Sequence, residues 1–223
     1  MPSLPGAEGA GLTRAFHRAR RSTKMSNKRQ PNGHQALHPP NPDFGERPTR
    51  APAHARQQLY ADGKHAEILA DIEACLPKDE AGNFVADQEK SDVVHDLLAF
   101  LAERMLEMNK EKQQEIRGFL DWLEGYLGAK IEDLKPKTRI LSYYESDYES
   151  LLAVLKKNKK KLTIDPSRRE PGELLRSEFE GSKKKLDPLM ERIRRTDELI
   201  DAVVYRLYGL TDEEIGIVKG NSA

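Results

Sequence analysis

From about residue 56 onward, apolar side chains return every three or four positions, and glycine, proline or asparagine separates one such stretch from the next. That period is the mark of helices burying one stripe. Leu59, Ile68, Leu69 and Ile72 predict a first helix over residues 56–75, ended by Pro77 and Ala81-Gly82-Asn83. A second is predicted with Asp87 as its N-cap. Its stripe is Val93, Val94, Leu97, Leu98, Leu101, Met105 and Met108, and its polar face is Asp92, His95, Glu103, Arg104 and Glu107. Asn109-Lys110 reads either as a break or as a polar turn in one longer helix. Ile116, Phe119, Leu120, Leu123 and Leu127 carry the next stripe, with Gly128 as a C-terminal stop.

Ser146 followed by Glu149 reads as a capping box opening a helix through Leu151, Leu152 and Leu155 to about Leu162. Asp165-Pro166-Ser167 is turn chemistry. A long helix is predicted over 171–208, with Asp187-Pro188 either restarting or kinking it. Beyond that proline, Leu189, Ile193, Thr196, Ile200, Val203 and Leu207 form a short heptad-like seam. Gly209 stops the helix, and Thr211-Asp212-Glu213-Glu214 caps a final short one. Thr138 to Tyr144 is the best candidate for a short strand.

The fold class expected is mainly α. A disordered, basic, proline-rich extension (1–58) leads to a short helix and linker (59–86). An elongated antiparallel helical hairpin or bundle with a helical insertion then fills 87–223. Its core is the facing stripes of two distant helices, Val94, Leu97, Leu98, Leu101 and Met105 against Leu189, Ile193, Ile200, Val203 and Leu207. Each fully buried Leu or Ile there contributes roughly 1.5–3 kcal/mol.

Composition agrees. Hydrophobic residues are 37% of the chain and charged residues 33%, too little apolar material for a thick core and enough for thin helical layers. The net charge is zero but unevenly placed, with ten Lys/Arg against Glu8, Asp43 and Glu46 in residues 1–60. Cys75 is the only cysteine, which excludes an internal disulfide. No apolar run approaches the roughly 20 residues of a membrane span. The expected location is the cytoplasm.

Asn41-Pro42-Asp43-Phe44 differs from the Asn-Pro-Pro-Tyr element of amino-group DNA methyltransferases at its third and fourth positions, and no Gly-rich cofactor loop precedes it. Pro42-Asp43 lacks the following Glu-x-Lys of a metal-dependent nuclease. His34 and His38 have helical spacing, but Pro39 and Pro40 oppose a helix there. Cys75 has no activating neighbour in sequence. No catalytic residue, metal site or cofactor is therefore expected. The suggestive cluster is Lys156, Lys157, Lys159, Lys160 and Lys161, followed by Arg168 and Arg169, with Asp165 the one acid between residues 150 and 169. Such a run can neutralise DNA phosphates; it can equally be a solvated helix end whose lysines face the helix dipole. Tyr143 and Tyr144 precede it and are read as packing residues before base-stacking ones.

Arg195-Thr196-Asp197-Glu198-Leu199-Ile200-Asp201 and Val204-Tyr205-Arg206-Leu207-Tyr208-Gly209-Leu210-Thr211-Asp212-Glu213-Glu214-Ile215 resemble the closing segment of type IIG restriction-modification proteins, which join an N6-adenine DNA methyltransferase to an endonuclease. Residues 97–109 resemble the helix after their target-recognition domain. Gly118-Phe119-Leu120-Asp121-Trp122-Leu123-Glu124 and residues 149–162 resemble an insertion that some members carry. The resemblance implies a non-catalytic specificity or scaffold module. It would contact DNA weakly by itself or dock on a separate methyltransferase-endonuclease partner. The alternative is a helical self-association protein, a homodimer through the 189–207 seam, or a truncated remnant without DNA activity.

Overall fold

A computed structural model describes residues 51–220, with side chains from residue 54. Among the described residues seven α-helices occur: α1 (Ala51–Ala61), α2 (His65–Cys75), α3 (Ser91–Leu127), α4 (Lys137–Leu141), α5 (Tyr148–Lys157), α6 (Arg169–Leu207) and α7 (Asp212–Lys219). There is no strand among them, only one isolated bridge between Lys78 and Phe84. The mainly α expectation therefore holds. Of the extension expected over 1–58, residues 51–58 belong to α1; the rest lies outside the described residues.

Several local expectations are corrected. The single helix over 56–75 is two, because Gly63 takes φ +72° between them. Asp87 caps nothing; it sits in a turn, and α3 starts at Ser91. That helix then runs 37 residues straight through Asn109-Lys110, because neither residue breaks a helix and the buried stripe continues from Met108 to Ile116. Thr138 to Tyr144 is not a strand but α4 followed by a 3₁₀ turn, Tyr143–Glu145. The N-cap of α5 is Asp147, not Ser146: its side chain accepts from the Ser150 amide at 2.7 Å. The helix also ends at Lys157, short of Leu162. Pro188 does not restart the helix, since α6 runs continuously through it; it removes one N–H from the ladder. The Thr211 capping box holds as expected, with Glu214 N donating to Thr211 Oγ1 at 3.3 Å and Thr211 N donating to Glu214 Oε2 at 2.9 Å.

The chain divides into two compact units. One takes the residues up to Leu106 and those from Arg195; the other is Glu107–Arg194. Both α3 and α6 contribute to each.

In the first unit Val94, Leu97, Leu101 and Met105 of α3 are buried, as are Ile200, Val203 and Leu207 of α6. Leu98 is only half-buried. Leu199, Val204 and Thr196 are buried too. Tyr60 of α1 ties the helices together: its ring meets Phe100 edge-on at 5.5 Å, and its hydroxyl lies 2.7 Å from Thr196 Oγ1. Arg206 donates to Glu73 of α2 at 2.7 Å. Arg56 is buried, with its guanidinium 2.6 Å from Asp71.

The second unit holds the larger aromatic core. Phe119, Tyr143, Tyr148 and Phe179 cluster with Leu123, Leu155 and Leu186. Ring centroids of Phe119 and Tyr143 are 4.1 Å apart. Within it α3 and α6 run antiparallel: Lys185 pairs with Glu115 at 3.0 Å, and the Tyr126 hydroxyl donates to the Pro171 carbonyl at 3.0 Å. Leu189 and Ile193, expected in the helix-pair core, fall in this unit. Leu189 is buried, whereas Ile193 is half-buried.

Candidate nucleic-acid interface

The basic segment runs from the end of α5 through a structured loop to the first residue of α6, all in the second unit, and the loop's shape comes from its own polar side chains. Asn158 closes α5 and is buried. Its amide donates to the carbonyls of Lys135 (2.7 Å) and Val154 (2.8 Å), while its oxygen accepts from the Lys135 amide (3.0 Å). Buried polar atoms cost free energy unless bonded, so this set fixes where the Lys159–Lys161 turn begins. Lys159–Lys161 form a 3₁₀ turn. Thr163 then docks on the end of α3, its amide and hydroxyl both donating to the Leu127 carbonyl, at 2.9 and 2.8 Å. Gly128 makes that docking possible: φ is +62°, and a Cβ there would lie 2.2 Å from Thr163 Oγ1.

Two of the lysines are spent inside the loop. Lys159 pairs with Asp165 at 2.7 Å, and Lys161 donates to the Asp133 carbonyl. The Asp165 carboxylate also accepts from the Ser167 amide at 3.1 Å. These bonds, chiefly the one from Lys159, hold Asp165 down at about 2. Arg169 pairs with Glu173 at 3.0 Å. Lys156, Lys157, Lys160 and Arg168 are exposed and form no ion pair or side-chain hydrogen bond among the described residues. The seven cations of the sequence pattern thus sort into three with partners and four without.

Beside this loop α5 and the first turns of α6 flank a shallow, open cleft of about 220 Å³. From α5 it is lined by Tyr148, Leu152 and Lys156, which share a face at four-residue spacing; from α6 by Arg169, Gly172, Glu173 and Arg176; and between the helices by Pro166, Ser167 and Arg168. The Tyr148 hydroxyl donates to the Gly172 carbonyl at 2.9 Å. Burial pushes that phenol up from its ordinary value, so it stays a donor. Gly172 keeps the seam close: a Cβ would stand 3.0 Å from the Pro166 carbonyl oxygen. Arg176 lies 4.2 Å over the Tyr148 ring and pairs with Glu149 at 2.6 Å. Arg176 was not among the sequence candidates, because it lies seven positions beyond Arg169 and only helical folding puts both on one face.

Tyr143 is fully buried, its hydroxyl 2.7 Å from the buried Ser182 Oγ. Desolvation raises it to about 12. Tyr144 is half-buried with Lys112 5.1 Å over its ring. Both are packing residues. Cys75 is buried in the first unit, where it accepts a hydrogen bond from Arg56 at 3.5 Å, and burial raises its thiol. His34, His38 and Asn41-Pro42-Asp43-Phe44 lie outside the described residues. Among the described residues no three His, Cys, Asp or Glu side chains come together as metal ligands, and no helix is long and apolar enough to cross a membrane.

Charge separates the units. Residues 51–106 and 195–220 carry seventeen acids against eight Lys/Arg, whereas 107–194 carry seventeen against twenty. A polyanion is repelled by the first and tolerated by the second.

No curated protein and no solved structure matches the chain. A family model described as a domain of unknown function, DUF8810, matches residues 91–204. That stretch begins at the first residue of α3, ends three residues before the close of α6, and takes in the basic loop and the cleft between them. Spanning half of the sequence and the whole second unit, the match places this chain in the DUF8810 family.

Proposed function

We propose that this chain is a non-catalytic, DNA-contacting scaffold module of a restriction-modification system, working in the cytoplasm beside a methyltransferase-endonuclease partner. The observation that carries the DNA contact is the set of four unpartnered cations, Lys156 and Lys157 at the end of α5 and Lys160 and Arg168 on the loop after it, whose backbone is fixed by Asn158 and Thr163. Cations without an internal partner are free to neutralise phosphates and release counterions. A fixed loop also presents them without a large ordering cost. The resemblance of residues 195–215 to the restriction-modification tail supports the biological setting.

The self-association alternative loses its sequence motive in the seam, since Ile200, Val203 and Leu207 are already buried within one chain. The reading is tested by fluorescence anisotropy of a labelled duplex from about 50 to 200 mM salt, where phosphate contacts give a steep fall in affinity. Affinity that stays flat across that series would sink it.

A further inference from the structure

We propose that the cleft between α5 and the start of α6 is a receptor for one phosphate monoester, the group found at the end of a nucleic-acid strand. That the group comes from nucleic acid rests on the DNA reading above; the receptor chemistry rests on the cleft.

Size comes first. At about 220 Å³ the space falls below the roughly 300–1,000 Å³ of sites that enclose whole small molecules. It has room for a tetrahedral anion and a few waters. A phosphodiester would have to bring a nucleoside on both sides of the same anion.

Charge comes second. Lys156, Arg168, Arg169 and Arg176 line the space with one acid, Glu173; Arg176 is also held from outside the lining by Glu149 at 2.6 Å and Glu180 at 3.7 Å, which leaves Lys156 and Arg168 as the surplus. That surplus suits a dianion better than the single charge of a diester. Lys156 and Arg168 have no competing partner among the described residues. Arg169 and Glu173 are highly exposed, 89% and 66% at the side chain, and exposed pairs of this kind hold weakly enough to exchange for a stronger acceptor. A guanidinium offers two parallel donors to phosphate oxygens, and each charge-assisted bond exceeds a neutral one.

Shape comes third. The floor is Leu152, Pro166 and the Tyr148 ring, of which Leu152, Pro166 and Tyr148 are all buried. The Tyr148–Gly172 hydrogen bond locks the two helices together at that point. The walls are therefore set before any anion arrives, and a bound group does not have to order them.

The experiment titrates the whole chain with inorganic phosphate, methyl phosphate and dimethyl phosphate. The backbone amides of Lys156, Ser167, Arg168 and Gly172 are followed by NMR. Saturable shifts at those amides are expected for the first two probes, with dimethyl phosphate at least about tenfold weaker. Lys156→Ala combined with Arg168→Ala should weaken methyl phosphate by about tenfold or more. Lys110→Ala with Arg117→Ala removes the same charge from exposed positions of α3 outside the cleft and should change it less than about twofold. No saturation, equal binding of the diester, or equal loss in both double variants would overturn the proposal. The DNA reading stands or falls separately. Salt-dependent duplex binding without phosphate saturation ends the receptor and leaves the DNA contact. Phosphate saturation without duplex affinity does the reverse.

Discussion

Replacing Lys160 by alanine should flatten the salt dependence of duplex binding, and replacing Lys159 should not. The two residues are neighbours with the same charge, so a sequence pattern weighs them equally. The structure does not: Lys159 is 2.7 Å from Asp165, whereas Lys160 meets no acid among the described residues. The slope of log affinity against log salt is about −0.9 for each phosphate neutralised on duplex DNA. Four unpartnered cations predict a slope of about −3.6, which is about a 150-fold loss of affinity between 50 and 200 mM salt. All seven cations acting together would predict about −6.3 and a loss of about 6,000-fold over the same range. Lys160→Ala should bring the slope to about −2.7, and Lys159→Ala should leave it near −3.6. Anisotropy at five or so salt concentrations resolves one unit of slope easily. A wild-type slope near −6.3, a slope near zero, or equal flattening by the two variants would refute the division into spent and free cations.

Other outcomes follow from the packing. Tyr143→Phe leaves the buried Ser182 hydroxyl without its 2.7 Å partner, and should cost about 1–3 kcal/mol in urea unfolding. Tyr143→Phe with Ser182→Ala should cost clearly less than the two single changes added, and simple additivity would show that the hydroxyls do not interact. Gly128→Ala meets both a positive φ and Thr163, so a loss of at least about 1–2 kcal/mol is expected; an unchanged melting curve would mean the loop is not docked on α3. Ile200→Asp places a charge at a site only 2% exposed and should cost about 3–5 kcal/mol, with unchanged thermal stability as the contrary result. Asp165 has a depressed carboxyl, so its bonds to Lys159 and Ser167 are fully present above its ordinary 3.8 and lost as pH falls through about 2. The Ser167 amide shift should titrate near the lower value, and a midpoint at 3.8 would mean the turn is open.

What the sequence determined is what depends on neighbours along the chain. A stripe at three- and four-residue spacing has only one face to bury, so the helical stretches of α3, α5 and α6, the glycine stops at Gly128 and Gly209 and the Thr211 capping box were legible. The absence of a break at Asn109-Lys110 was not, because polar residues on a solvent face and polar residues in a turn look alike until the neighbouring turns are packed. Thr138 to Tyr144 misled for a related reason: β-branched and aromatic residues favour strands only when a sheet is there to receive them. Here the available surface was the aromatic core around Phe119, which takes Tyr143 as a helical turn residue.

Only tertiary structure decided which charges are free. Lys159 and Lys161 find partners at Asp165 and at the Asp133 carbonyl because Asn158 and Thr163 fold the loop back on itself. The cleft is likewise unreadable from the chain, since α5 and the first turns of α6 meet across a connecting loop, and Arg176 reaches the cleft only once its helix has turned. Spacing in sequence sets the face of each helix; partnership between charges is set by distance in space, and distance exists only after the helices have packed.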